Sequence, residues 1–379
     1  MNNKFFQALA VLMGTIIGVG LFSLPYITVQ VGIITMLFYF LILGIVMILV
    51  SLIYGEVALR TKELHRLPGY AEKYLGAKAK KIAFISNGFG LGGALLAYLI
   101  VGGEFLFSIL SPVFNGTSFT YTLIFFSLGA ILIYFGVKSI AQAELILLVL
   151  FFVILGIVFY YGFPLINTEH LFNFNFKYIF LPYGAVLFSL AGISVIPEIK
   201  EILINDSKKL KKVIISGILI SILTYLFFII LITGITGPNT SSEAIIGLKN
   251  ILSNNIVALA LIFGLLTIFT SFLTIGLTLK KILWYDLEMN KNLSWFLACF
   301  IPLLFFIFGL KNFIAVISLT GGVFLGIDVI LIILSYLKAK TKGDQKPAYS
   351  LKIPNLLVYS LILFFILGIV YEFIALVKV

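Results

Sequence analysis

The chain has 379 residues, 61% of them hydrophobic and 11% charged, with a mean hydropathy of +1.19. An average soluble domain carries roughly 25% charged residues, and a soluble fold of this length could not hide so much apolar surface; the composition predicts an all-α integral membrane protein with the lipid bilayer as its solvent. The single cysteine, Cys299, excludes an intrachain disulfide framework and a cysteine-based metal site.

Apolar runs of about 18 residues or more can cross a bilayer. They fall near 4–30, 32–55, 82–111, 119–137, 142–163, 178–200, 212–237, 255–283, 292–310, 312–337 and 355–377, which makes about 11 transmembrane helices. The first run is too long for a secretory leader and lacks a small-residue cleavage site, so it reads as a retained span. At its centre stands "GTIIGVGLFSLP", with Gly14, Gly18, Gly20 and then Pro25. Gly costs a helix about 1 kcal/mol and Pro about 3 kcal/mol relative to Ala, so a helix that only spans would avoid both. Span 2 follows at Gln30–Gly32 as a helical hairpin. The polar connection "RTKELHRLPGYAEKYLGAKAKK" comes next, where Pro68 suits the start of a short amphipathic helix. Spans 3, 4 and 5 follow, with Glu104 inside span 3 and Glu144 near an end of span 5. Span 6, "LPYGAVLFSLAGISVIPEIKE", repeats the oddity of span 1, with Gly192 near its centre and Pro197 five residues later. Span 7 leads into "PNTSSEAIIGLKNILSNN", which predicts a second short amphipathic helix. Spans 8, 9 and 10 follow, the last two joined tightly at Leu310–Asn312, with Asp328 inside span 10. Span 11 is left over, with Glu372 close to its outer end.

With the N-terminus placed in the cytoplasm, 22 of the 26 Lys and Arg residues fall on inside connections. Outside remain Lys177, Lys249, Lys311 and Lys378. Basic residues are expected on the cytoplasmic side. This bias supports the span count, puts the C-terminus outside and accounts for the net charge of +11 without a nucleic-acid partner.

Spans 1–5 and 6–10 share a layout, and five is odd, so the second set must enter the membrane inverted. That predicts a first five-helix repeat at 1–163, an inverted repeat at 164–337, and a loop with an extra helix at 338–379. Interrupted helices at matching places in two inverted halves point to a transporter's binding site. Unwound backbone at that depth is tolerated only where it faces a cavity or protein. Free N–H groups at a half-helix start favour a carboxylate, and exposed carbonyls at the other broken end favour an ammonium or a small cation. A zwitterionic amino acid offers both charges. Close helix packing is the other use of Gly14-xxx-Gly18.

"GTIIGVGLFSLP" resembles the first-helix motif of the amino acid–polyamine–organocation superfamily. "YGEVALRT" with "LPGYAEKYLG", "LPYGAVLFSLAGISVIPEI" and "ISLTGGVFLGIDVILI" resemble the amino acid/auxin permease and aromatic amino acid permease branches. The resemblance implies a LeuT-type 5+5 inverted repeat with discontinuous helices 1 and 6. It also implies uptake of amino acids with a co-transported cation, and no other cofactor. It maps the substrate carboxylate to the N–H groups of Gly18, Val19 and Gly20, and the span 6 contribution to Phe188, Ser189, Ala191 and Gly192. Tyr98 of span 3 has the depth of a tyrosine that some relatives offer to the carboxylate; aromatic packing is its other reading. Neither break carries an acid, so neutral or aromatic substrates fit better than cationic ones.

For the coupled ion there are two candidates. Thr267, Thr270 and Ser271 share one face of span 8. Sodium-coupled relatives join such hydroxyls to span 1 carbonyls, here those of Gly14 and Ile17, to cage Na⁺. The hydroxyls could equally bond back along their own helix. Protons could instead use Glu104 or Asp328, since intramembrane acids often mark ion paths; span 5 has no basic residue of the kind some proton-coupled relatives use. Sodium is the favoured ion. A membrane enzyme is not expected: His65 and His170 lie in polar connections, with no His-x-x-His or Glu-x-x-His spacing. A non-transporting sensor of the same fold and an ion or other small-solute transporter are the alternatives. Cytoplasmic-membrane localisation follows from the spans and charge bias.

Overall fold

The computed structural model describes residues 3–136 and 140–377; Lys138 and Lys378 lie outside the described residues, as does the side chain of Glu144. The described elements are helical, apart from one isolated bridge between Ser241 and Ala244. The first span is α1 (Asn3–Ile16) and α2 (Leu24–Val31), joined by a 3-10 turn at Val19–Ser23. Then come α3 (Ile33–Arg60), the short α4 (Leu67–Leu75), α5 (Ala77–Phe114), α6 (Ser118–Phe135) and α7 (Ile140–Gly162). The sixth is again broken, into α8 (Pro182–Ser189) and α9 (Ile196–Ile202) around a 3-10 turn at Gly192–Val195. It is followed by α10 (Leu210–Thr236), α11 (Asn254–Lys281) and α12 (Lys291–Ile307). The tenth consists of α13 (Phe313–Leu319), a π-turn at Thr320–Phe324 and α14 (Leu325–Lys342); α15 (Asn355–Val377) is the last described helix.

Eight of the described helices are long and apolar enough to cross a membrane, and the bent pair Lys4–Ile16 and Val19–Val31 makes nine when read as one span. The protein is thus a multi-pass membrane protein. The other two expected spans correspond to shorter elements, α12 with 17 residues and the halves α8 and α9 with 8 and 7. The lipid face is visible in the spacing of exposed apolar residues. On α3, Ile34, Phe38, Leu41 and Ile45 are exposed, which traces one helical stripe. On α15 the opposite pattern holds: Val358, Leu361, Phe365 and Glu372 form the buried stripe.

The expected hairpin after the first span is present. Gly32 adopts φ +80°, and a Cβ there would collide with the carbonyl of Asn173, so the turn requires glycine. Pro68 sits in the first turn of α4, as predicted. The second polar connection differs from expectation: it forms 3-10 turns at Gly237–Asn239 and Ile245–Asn250 rather than an α-helix. Its Gly, Pro, Ser and β-branched residues are poor helix formers. Ala244, Ile245, Leu248 and Leu252 are still buried, so burial, not helicity, anchors the segment.

At the lysine-rich end, buried lysines close helix C-termini. The Lys280 ammonium donates to the carbonyls of Ile133 and Tyr134 at 2.9 Å each, ending α6. Lys200 does the same for the Thr61 carbonyl, at 2.9 Å, beyond α3. Both satisfy carbonyls that a helix end leaves open. Glu56 is fully buried, pairs with Arg60 at 2.7 Å, and accepts from the Leu351 N–H at 2.6 Å. It thereby ties the segment before α15 under α3.

Candidate functional site

Both broken spans unwind by the same local route. After α1, the Ile17 N–H donates to the Met13 carbonyl and the Gly18 N–H to the Ile16 carbonyl, each at 2.7 Å. The helix restarts at Val19 and passes into α2, with Pro25 in its first turn. After α8, the Ala191 N–H donates to Phe188 at 3.1 Å and the Gly192 N–H to Leu190 at 2.8 Å. The chain restarts at Gly192 and enters α9 with Pro197 in its first turn. Val19 and Gly20 open a helical turn, so their N–H groups have no carbonyl one turn behind them and stand at the positive end of a helix.

The breaks meet. A Cβ on Gly20 would lie 2.6 Å from Ser189 Oγ and 2.9 Å from Ser189 Cα. One on Gly18 would lie 2.7 Å from the Tyr98 hydroxyl. Tyr225 of α10, fully buried, places its hydroxyl on the carbonyls that end both half-helices: that of Ser189 at 2.8 Å, and that of Ile16. Its single proton serves one of the two at a time. Sequence reading missed Tyr225; its signal was a lone hydroxyl-bearing aromatic within the apolar run of span 7.

A cavity of about 70 Å³ opens between the breaks. Gly18, Val19 and Gly20 form part of its wall, with Phe188, Ala191 and Tyr98. Leu91, Ala94, Ile193, Ile275 and Leu325 make the apolar walls, and Thr320 and Gly321 contribute the π-turn of the tenth span. Six of the eight residues expected to bind substrate therefore line one space. Ser189 and Gly192 do not line it. The Ser189 hydroxyl donates back to the Ala185 carbonyl at 2.8 Å, and Gly192 faces the side chains of Leu12 and Ile16. The two intramembrane acids separate as well. Asp328 lines the cavity, is 4% exposed, and accepts from Ser86 Oγ and from Asn87 Nδ2 at 2.9 Å. Glu104 is only half-buried and bonds Ser118 at the start of α6, away from the cavity.

The hydroxyls of span 8 also divide. Ser271 Oγ reaches the Gly14 carbonyl at 3.4 Å. Thr267 bonds back to Phe263 at 3.0 Å, and Thr270 to Thr267 and Leu266 at 3.1 and 3.3 Å. Ile17, 1% exposed, lies in the unwound stretch, and Gly14 lies just before it in the last turn of α1.

Below the cavity, Asn87, Ile193 and Ser194 also border a smaller void of about 20 Å³ that ends on Arg66. Arg66 precedes α4 and pairs with Glu198 at 2.8 Å and Glu201 at 2.9 Å, both on α9. Burial works against its charge, and the two carboxylates more than offset this, so its pKa lies above the usual arginine value. At the opposite end, a wider pocket of about 640 Å³ includes Tyr26, Gln30, Lys311 and Glu372. Glu372 of α15 is 5% exposed and accepts from the Gly184 N–H of α8. Added Cβ atoms on Gly184 and Gly322 would lie 2.6 and 2.8 Å from its Oε1. Among the described residues no cluster of His, Cys, Asp and Glu could hold a metal ion.

A sequence model of the tryptophan/tyrosine permease family matches residues 1–372. The chain belongs to this family. The permease is thus a transporter of the amino-acid type and not an enzyme, in agreement with the superfamily resemblance and refining the branches named from it. It is 24% identical over 366 residues to tyrosine-specific transport system 1 of Haemophilus influenzae, covering 91% of this chain and 90% of that protein. It is 25% identical over 344 residues to tyrosine-specific transport system 2 of the same organism, covering 85% and 84%. Among solved structures, the permease resembles MhsT in complex with L-phenylalanine, with TM-score 0.72, 17% identity and coverage of 99% and 98%. It also resembles Mhp1, a nucleobase-cation-symport-1 family transporter in a closed conformation with bromovinylhydantoin bound, with TM-score 0.67, 12% identity and coverage of 86% and 77%. The fold is that of the LeuT-type transporters.

Proposed function

We propose that the permease is a sodium-coupled symporter that imports aromatic amino acids, with tyrosine and tryptophan foremost, across the cell membrane by alternating access. The observation that carries this reading is the cavity itself. At one end stand the N–H groups of Val19 and Gly20 beside Tyr98, suited to a carboxylate; beyond them run walls of Leu91, Ala94, Ile193, Ile275 and Leu325, suited to a ring. The names of the two Haemophilus relatives agree with it. In this reading the lysine-rich end, the N-terminus included, is cytoplasmic, the C-terminus is outside, and residues 1–163 and 164–337 are two inverted halves that rock about the site. Arg66 with Glu198 and Glu201 closes the cytoplasmic path. Sodium is held by the Gly14 and Ile17 carbonyls with Ser271 and Thr270; the Ser271 approach to Gly14 favours it over a proton.

Purified protein in liposomes tests both parts. An imposed Na⁺ gradient at equal pH is expected to drive uptake of labelled tyrosine, and Thr270→Ala with Ser271→Ala to remove it. Uptake driven only by a pH gradient in sodium-free buffer, and stopped by Glu104→Gln or Asp328→Asn, would replace sodium with protons. Absence of any aromatic uptake or binding would overturn the reading as a whole.

A further inference from the structure

Sodium coupling leaves Asp328 without a task, yet an intramembrane acid is costly to keep. Its place in the cavity suggests one. Gly321, in the π-turn, packs on the backbone of Phe188 at the level of the breaks. Asp328 follows it by seven residues, roughly 10 Å along the helix at about 1.5 Å per residue. That is about the length of an aromatic amino acid from its carboxylate to the tip of its ring. Between the two levels the cavity wall is apolar, with Leu91, Ala94 and Leu325. At the far end it becomes polar again, with Asn87, Ser194 and Asp328.

Ser86 and Asn87 of α5 each donate to one oxygen of the Asp328 carboxylate. Those bonds fix its orientation. A carboxyl group has more acceptor positions than the two that Ser86 and Asn87 occupy, so it can accept a further hydrogen bond. What such a group takes from an apolar slot is a neutral hydrogen-bond donor carried on a ring. The phenol O–H of tyrosine and the indole N–H of tryptophan are such donors; phenylalanine has none.

The geometry points to Asp328, oriented by Ser86 and Asn87, as the residue that selects the substrate's side chain by accepting a hydrogen bond from a phenol or an indole. This rests on the proposed transporter reading, in which the substrate carboxylate lies at the first break. A site whose buried polar group is left bare by the wrong substrate can discriminate by about 10⁴-fold or more. Asp328 keeps Ser86 and Asn87 when the ring brings no donor, so a smaller preference is expected, about 10–100-fold.

Equilibrium binding of L-tyrosine, L-tryptophan and L-phenylalanine to the purified protein, at fixed pH and sodium, measures it. The wild type should bind tyrosine at least about tenfold more tightly than phenylalanine. Asp328→Leu should bring the ratio near one, because tyrosine weakens and phenylalanine does not. Asp328→Asn, nearly isosteric, should fold normally and give an intermediate ratio, since the amide oxygen still accepts. The assignment is overturned if either well-folded variant keeps the wild-type ratio, or if all three ligands weaken in parallel, as loss of a coupling or positioning group would cause. It is also overturned, with the transporter reading left standing, if the wild type binds tyrosine and phenylalanine equally. A wild type that binds none of the three sinks both.

Discussion

Gly20 and Gly192 occupy related places, each in the turn that restarts a broken helix, but different neighbours stand over them. Above Gly20 is the backbone of Ser189, on the other broken span; beside Gly192 are the ends of Leu12 and Ile16. The first break therefore faces the cavity and its partner break with bare backbone, while the second turns its glycine into packing against α1. Two glycines that read alike in sequence have different work: one lets a ligand and a second main chain approach, the other lets two helices approach.

The sharpest test of that contrast pairs Gly20→Val with Gly192→Ala. Gly20→Val should abolish substrate binding, because its Cβ would meet a main-chain atom that cannot turn aside. Gly192→Ala should leave affinity within a few-fold and lower stability by about 1–3 kcal/mol, the usual cost of overpacking. Thermal melts and ligand binding on both variants decide it; a binding loss in both alike would break the comparison. Next in size, Tyr225→Phe should cost about 1–3 kcal/mol, since it leaves the Ile16 and Ser189 carbonyls short of a donor at the point where the breaks join. Its melting temperature should fall whether or not substrate is present. Smaller again, Gly18→Ala should weaken binding about tenfold by pushing away the Tyr98 hydroxyl, and adding Tyr98→Phe should recover part of that loss because it removes the atom in the way.

The smallest effect lies far from both breaks. Asp344 pairs with Lys73 and accepts from the Lys62 N–H, and these bonds hold its carboxyl below the usual carboxylate range, the lysine side chain contributing most. A depressed folded pKa gives stabilisation that is complete above the ordinary value near 4 and is lost as pH falls through the folded value. Hydrogen exchange in residues 343–354 should therefore be flat from pH 8 to 5, after correction for intrinsic rates, and accelerate only below about pH 4. Loosening near neutral pH would show that this pair does not hold the segment.

The breaks themselves were legible because Gly and Pro are costly inside a helix, so "GTIIGVGLFSLP" and "SLAGISVIP" had to mean something at each position. Gly18, Val19, Gly20, Tyr98, Phe188 and Ala191 all line the cavity. What sequence did not give was rotation about each helix axis. That is why Ser189 and Gly192, mapped to the substrate site with the rest of the span 6 break, lie beside the cavity, and why Asp328 and Glu104 looked equivalent although only the first lines it. Tyr225 escaped because its partners are carbonyls 209 and 36 residues away, which no local pattern encodes. The π-turn at Thr320–Phe324 escaped for a similar reason: the pair Gly321–Gly322 announces close approach but not what approaches.

Glu372 changes what α15 is. Its carboxylate occupies the room left by two missing side chains, those of Gly184 on the broken sixth span and Gly322 in the tenth. The acid and the two glycines fit only as a set: a larger residue at either glycine would evict the carboxylate, and a shortened chain would leave a polar groove open to lipid. This helix is thus a part that the helices before it were shaped to receive, and a version of the molecule without it would have to refill positions 184 and 322 before it could pack.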